Sequence, residues 1–229
     1  MIYNNLALYP QRKKDIPQKR VFSFRNSSRK ELNMKTSKKT KMVVGIGLMT
    51  AIVVVLQLFA SQIKIGPFSI TLVLAPIIVG AALYGIGAGA WLGLAFGVTV
   101  LASGDAGVFL TANPAGTVAV VLLKGILAGL AAGAVYKAIE KKNKLGAVIT
   151  TGVVAPTVNT GIFIVGCWLF FMPLVTDWAT AAGVKNAGLF VITGVVGFNY
   201  FIELAINLVL STVIVRIIKI AIKETKTQG

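Results

Sequence analysis

From Met42 onward the chain runs through one apolar stretch after another, separated only by short polar breaks. This pattern constrains the fold more than any motif does. An α-helix satisfies its own backbone hydrogen bonds and crosses a bilayer with about 20 apolar residues. Six such segments can be read, with approximate limits 42–61, 69–85, 87–104, 116–137, 146–171 and 190–219. Ile86 and its flanking glycines are the only break between the second and third, which predicts a tight hairpin. The first segment has the composition of a signal-peptide core, but it is too long and Leu58-Phe59-Ala60 is a poor cleavage site. It is expected to stay in the protein. The predicted fold class is therefore an all-α integral membrane protein, a six-transmembrane-helix bundle.

Composition agrees. Hydrophobic residues make up 56% of the chain and charged residues 13%, against about a quarter charged in soluble domains. The 229 residues leave room for one membrane domain, at 42–222, between a basic tail at 1–41 and a short tail at 223–229. Residues 1–41 hold 12 of the 23 Lys and Arg against 2 acids. A net charge of +16 would suit nucleic acid, but no nucleic-acid fold follows the tail, and the placement matches the positive-inside rule. With the tail on one side fall Lys137, Lys141, Lys142, Lys144, Arg216, Lys219, Lys223 and Lys226; with the other fall Lys64, Lys185, Asp105 and Asp177. Both termini are thus expected in the cytoplasm (N-in/C-in), with external loops at 62–68, 105–115 and 172–189. Met34-Lys35-Thr36-Ser37-Lys38-Lys39 has the form of a bacterial membrane-protein start, and Arg29-Lys30-Glu31 fits a translated ribosome-binding site. Translation is expected to begin at Met34, and residues 1–33 to be a mis-assigned start. The expected location is the bacterial cell membrane.

Only Lys124 and Glu203 place charge well inside the spans. Such a charge costs about 2.5–3.5 kcal/mol on insertion scales, so it persists where it meets a partner or a ligand. Lys124 lies about 12 Å into the fourth span from outside, and Glu203 near the middle of the sixth. Asn199, Glu203 and Asn207 share a helix face at four-residue spacing. Asn159 and Thr160 follow Pro156, whose missing N–H loosens the fifth span. The first three spans offer little except Gln57. Trp168 of the fifth span and Asn113 of the loop before the fourth complete the candidate binding set. Two readings fit: a small polar ligand held between the last three spans, or a Lys124–Glu203 pair with asparagines bridging helices.

Histidine is absent, which removes imidazole metal sites and proton relays, and the single Cys167 has no disulfide partner within the chain. No phosphate-cradling G-x-x-x-x-G-K-[ST] occurs, so a pump built on this chain needs its ATPase elsewhere. No catalytic residue, metal or cofactor is expected, and the chain is not read as an enzyme. Asn113-Pro114-Ala115 is shared with water channels, but it occurs once and in a loop, as chance would place it.

Glycines recur every four residues at Gly85, Gly89, Gly93 and Gly97, and again at Gly125, Gly129 and Gly133. Each row lets another backbone approach closely, either inside the bundle or at a docking surface. The stretch Ile70-Thr71-Leu72-Val73-Leu74-Ala75-Pro76-Ile77-Ile78-Val79-Gly80-Ala81-Ala82-Leu83-Tyr84-Gly85, running into Gly89 and Gly93, resembles substrate-binding (S) components of energy-coupling factor (ECF) vitamin transporters. Gly47 and Ala51 stand where that family has an Ala-xxx-Ala pair, the glycine being a departure. The resemblance covers residues 35–222. It implies a six-helix, N-in/C-in subunit that binds a vitamin from outside and docks through its first three spans on a membrane scaffold subunit with two ATP-binding subunits, toppling to release substrate inside. Gly47, Ala51, Gly85 and Gly89 would then belong to the partner interface. Span two and Ser103-Gly104-Asp105-Ala106-Gly107 are most similar to the pantothenate-type subgroup; riboflavin and folate would want more aromatic stacking than Trp168 and Phe163 provide. The competing classes are a channel for water or small solutes and a structural membrane subunit.

Overall fold

The computed structural model describes residues 38–65, 68–69, 71–197, 200–210, 213 and 216. The expected start at Met34, the candidate Asn199 and the 223–229 tail lie outside the described residues. The chain divides into the units Met1–Lys41 and Met42–Gly229, and the architecture below is that of the second with the helix leading into it.

Helix α1 spans Lys38–Ala60 and is followed by a minimal ribbon, β1 (Lys64–Ile65) against β2 (Phe68–Ser69), antiparallel with Lys64 opposite Ser69. Then come α2 (Leu74–Tyr84), α3 (Ile86–Ala102), α4 (Gly107–Ala112), α5 (Pro114–Ile139), α6 (Lys144–Phe170), α7 (Met172–Ala181) and α8 (Ala187–Phe190). A wider, π-helical stretch covers Val191–Gly197, and α9 covers Tyr200–Leu210. Apart from the ribbon, every regular element among the described residues is helical. Residues 39–60, α5 and α6 are each long and apolar enough to cross a membrane, while α2, α3 and α9 are shorter apolar helices.

Local chemistry sets the boundaries. The second span was expected from residue 69, but the helix begins at Leu74. Pro76 is its third residue, where a missing N–H costs nothing because the first four have no intrahelical partner. Gly85, at φ +94°, makes the one-residue turn into α3, and the predicted hairpin is there. Asn113, Asn143 and Asn186 open α5, α6 and α8, their side-chain oxygens accepting from Gly116, Gly146 and Leu189 N–H groups at 2.9–3.0 Å. The expected 190–219 span is divided, with π-helical backbone before α9. Two of the expected external loops carry helices of their own, α4 and α7.

The glycine rows resolve into internal packing. A Cβ on Gly93 would collide with the carbonyl oxygen of Gly125, and one on Gly125 with that of Gly93; Gly89 and Gly129 block each other in the same way. At the ends of the seam Gly133 would meet the Ile86 backbone at 2.7 Å and Gly97 the Val121 carbonyl at 3.0 Å. Helices α3 and α5 therefore touch backbone to backbone. On the other side of α5, Gly166 of α6 receives Val120 and Gly116 receives Phe170. Helix α1 buries only Val53, Gln57 and Ala60, a single stripe at four- and three-residue spacing.

Candidate functional site

Helix α5 enters the bundle under the Asn113 cap and delivers Lys124 between two rings. Lys124 Nζ lies 5.7 Å from the Phe96 ring centroid on α3 and 5.4 Å from that of Phe163 on α6. An ammonium facing aromatic rings at this range gains about 0.5–2 kcal/mol, which offsets part of its lost hydration. Among the described residues no direct ion pair joins Lys124 to Glu203, whose Oε1 has no hydrogen-bond partner.

Helices α6 and α9 supply the polar side. Asn159, Glu203 and Asn207 are all buried. Asn207 Nδ2 donates to the Glu203 backbone carbonyl at 2.8 Å, which fixes the amide one turn below the carboxylate. Asn159 Oδ1 and Glu203 Oε1 have no hydrogen-bond partner. Leaving such an atom unsatisfied costs about 1–3 kcal/mol, so two in one region form an unmet demand for donors. The two helices meet closely: a Cβ on Gly152 would lie 3.7 Å from the Asn207 carbonyl oxygen. Thr157 Oγ1 donates to Val153 O at 2.7 Å, which leaves it to accept from the Tyr200 hydroxyl at 3.0 Å.

Above Lys124 the loop helices build an aromatic cover. Phe109 of α4 lies edge-on to Phe163 (5.4 Å), Phe171 (5.0 Å) and Trp178 of α7 (5.9 Å). Asp105, just before α4, accepts from Gln57 Nε2 of α1 at 3.1 Å.

Of the expected binding residues, Asn159 and Glu203 are buried, Lys124 is half-buried between the Phe96 and Phe163 rings, and Thr160, next to Asn159, is half-buried. Trp168 does not join them. It is 49% exposed, nine residues beyond Asn159, and nine steps of about 100° place it on the opposite face. Phe163, four residues on, shares the Asn159 face and is the aromatic that meets Lys124. Asn113 spends its side-chain oxygen on the α5 cap. Phe96, Phe109, Phe171, Trp178 and Asp105 were not among the expected residues; a four-residue step from Asn159 would have found Phe163, but the others depend on tertiary packing. Of the expected interface residues, Gly47 and Ala51 are exposed, with open space around Gly47, and Gly85 forms the hairpin turn. Gly89 is a correction: it is buried against Gly129 inside the bundle.

Apolar helices with polar groups gathered between them define a multi-pass membrane protein with an internal polar region. The family model for the substrate-specific component of ECF transporters matches residues 41–215, and the chain belongs to that family. It is thus a substrate-binding transporter subunit, of a transporter family and not an enzyme family, that acts on a small molecule together with ECF module partners. No curated protein and no solved structure matches the chain.

Proposed function

We propose that this subunit captures a small vitamin, pantothenate above the other candidates, from outside a bacterial cell and delivers it inward with a scaffold subunit and two separate ATP-binding subunits. The chain would cross the membrane six times with both termini in the cytoplasm. Its basic residues cluster on one side, and it carries no nucleotide loop of its own. The observation that carries the reading is the pairing of a cation with two unpartnered acceptors. Lys124 offers donors for a carboxylate. Asn159 Oδ1 and Glu203 Oε1 ask for donors in return. Pantothenate has a carboxylate at one end and hydroxyl and amide donors along the rest, and its methyl groups suit the Phe109–Phe163 cover. Exposed Gly47 and Ala51 on α1 are the surface left for the scaffold.

Calorimetry of the purified subunit with pantothenate tests the substrate. Tight binding by the subunit alone, without accumulation in liposomes unless the other subunits are present, is the expected result. Concentrative uptake by the single chain would overturn it, and passive flux of water or solutes through the single chain would favour a channel.

A further inference from the structure

Lys124 lies where two apolar clusters meet. Phe96, on α3, is fully buried and belongs to the core that also holds Leu92, Val100 and Val121. Phe163, on α6, is half-buried and packs at the margin of the other cluster, which holds Phe109, Phe171 and Val175. The two rings face the ammonium at 5.7 and 5.4 Å, but they are backed differently. Phe96 stands inside the core between α3 and α5. Phe163 abuts Phe109, perpendicular to it at 5.4 Å, and Phe109 is carried by the six-residue helix α4. Phe109 in turn meets Trp178 of α7 at 5.9 Å. One wall of the lysine's slot is thus part of the core, and the other is in contact with the aromatic cover.

We propose that Phe163 is a positioning residue: its ring holds the Lys124 ammonium ready for a substrate carboxylate, and the seating of Phe109 holds that ring. This inference rests on the reading of Lys124 as the anchor for the substrate's anionic end. A lysine side chain is long and flexible, and a ligand that must first order it loses that free energy from its affinity. Between two rings the ammonium is fixed before the ligand arrives. A ring face attracts the cation without adding a counter-charge that a carboxylate would have to displace. Removing the ring on α6 should therefore weaken the hold on a ligand's charged end and spare the rest of the ligand. Removing Phe109 should act the same way, through Phe163.

Affinities of the full chain are measured for pantothenate and for pantothenol, the neutral alcohol with the same amide and hydroxyl groups. The variants are Phe163→Leu, Phe109→Leu, the two combined, Lys124→Met, and a chain with trifluorinated phenylalanine at position 163. Fluorination drains the ring face of negative charge at nearly constant shape, so this last variant keeps the packing if Phe163→Leu does not fold. Phe163→Leu is expected to lower the ratio of pantothenate to pantothenol affinity roughly three- to tenfold, and the fluorinated ring to lower it by a smaller factor at an unchanged melting point. Phe109→Leu should lower the ratio too, and add nothing once Phe163 is leucine. If Lys124→Met collapses the ratio but neither change at position 163 moves it, the positioning role is wrong and the anchor stands. Additive losses from Phe109→Leu and Phe163→Leu would break the link between cover and ring. If wild type binds pantothenate no better than pantothenol, or Lys124→Met leaves the ratio untouched, the anchor falls and the inference falls with it.

Discussion

Two helix seams in this molecule are built on opposite principles. Where α3 meets α5, four glycines interlock and the backbones touch. Where α6 meets α9, Thr157 and Tyr200 share a hydrogen bond and Gly152 approaches the Asn207 carbonyl, with Asn159 and Glu203 buried on the two helices and Pro156 interrupting the α6 ladder. At its glycine contacts the first seam has no side chain to satisfy and no space to give. The second has unpartnered acceptors and a helix that has lost one of its own bonds. Close backbone packing is a rigid solution in lipid, because dispersion contacts vanish with small separations. A polar seam with unmet hydrogen bonds is one that a ligand completes. The difference divides the bundle into a frame and a candidate site.

The largest effect should come from forcing the frame. Gly93→Val places two methyl groups against the Gly125 carbonyl, which belongs to backbone and cannot rotate away. A loss of more than about 3 kcal/mol, or of folded protein altogether, is expected from such overpacking. Thermal unfolding in detergent measures it. A variant with an unchanged melting point would mean that α3 and α5 slide apart easily, and the division into frame and site would fail.

Next in size is the site's cation. Lys124→Met should cost about 2 kcal/mol of pantothenate affinity, or roughly 30-fold, the scale of a buried charged contact. Its stability should change far less than that of Gly93→Val. Calorimetry with parallel melting curves reads both. A large loss of stability with unchanged affinity would make Lys124 a structural group, cradled by Phe96 and Phe163 for packing alone.

Asn159→Ala separates the same alternatives more finely. The Asn159 oxygen has no partner, so its removal takes away a buried unsatisfied acceptor and should leave stability level or slightly raised. Affinity should fall by about 1 kcal/mol, one neutral hydrogen bond. A bridging asparagine would show the reverse, with stability lost and affinity kept.

How far these regions were legible from sequence follows the same division. Lys124, Glu203 and Asn159 stand out because polar groups in apolar spans are expensive, and the cost itself marks them. Trp168 has the residue type of a binding aromatic, but its helical angle separates it from Asn159 by about 180°. Phe109 is hidden for another reason: its contact with Phe163 depends on a short helix in a loop, which no periodicity within a span encodes. The glycine rows announced close packing but not with what. Gly89 reads the same in sequence whether it meets Gly129 or a second protein. The start of α2 depends on Pro76 being harmless in a first turn, which moves the helix start without altering hydropathy.

The smallest expected effect on the isolated subunit is the one that sharpens the comparison most. Gly47 is a glycine like Gly93, on an apolar helix, yet a Cβ there would meet nothing within 4 Å, and Ala51 one turn on is exposed as well. Within the solitary chain neither has a packing partner to lose. Gly47→Trp and Ala51→Trp should therefore shift ligand affinity by less than about 0.5 kcal/mol, as surface substitutions do, with the melting point close to wild type. If this face receives the scaffold subunit, an indole there holds the two helices apart and forfeits the contacts that drive association in lipid, so complex formation and uptake should collapse. Affinity on the purified subunit and pull-down of the assembled complex are measured on the same two variants. Loss of affinity together with assembly would place α1 in the frame beside Gly93, and unchanged assembly would leave this face to lipid.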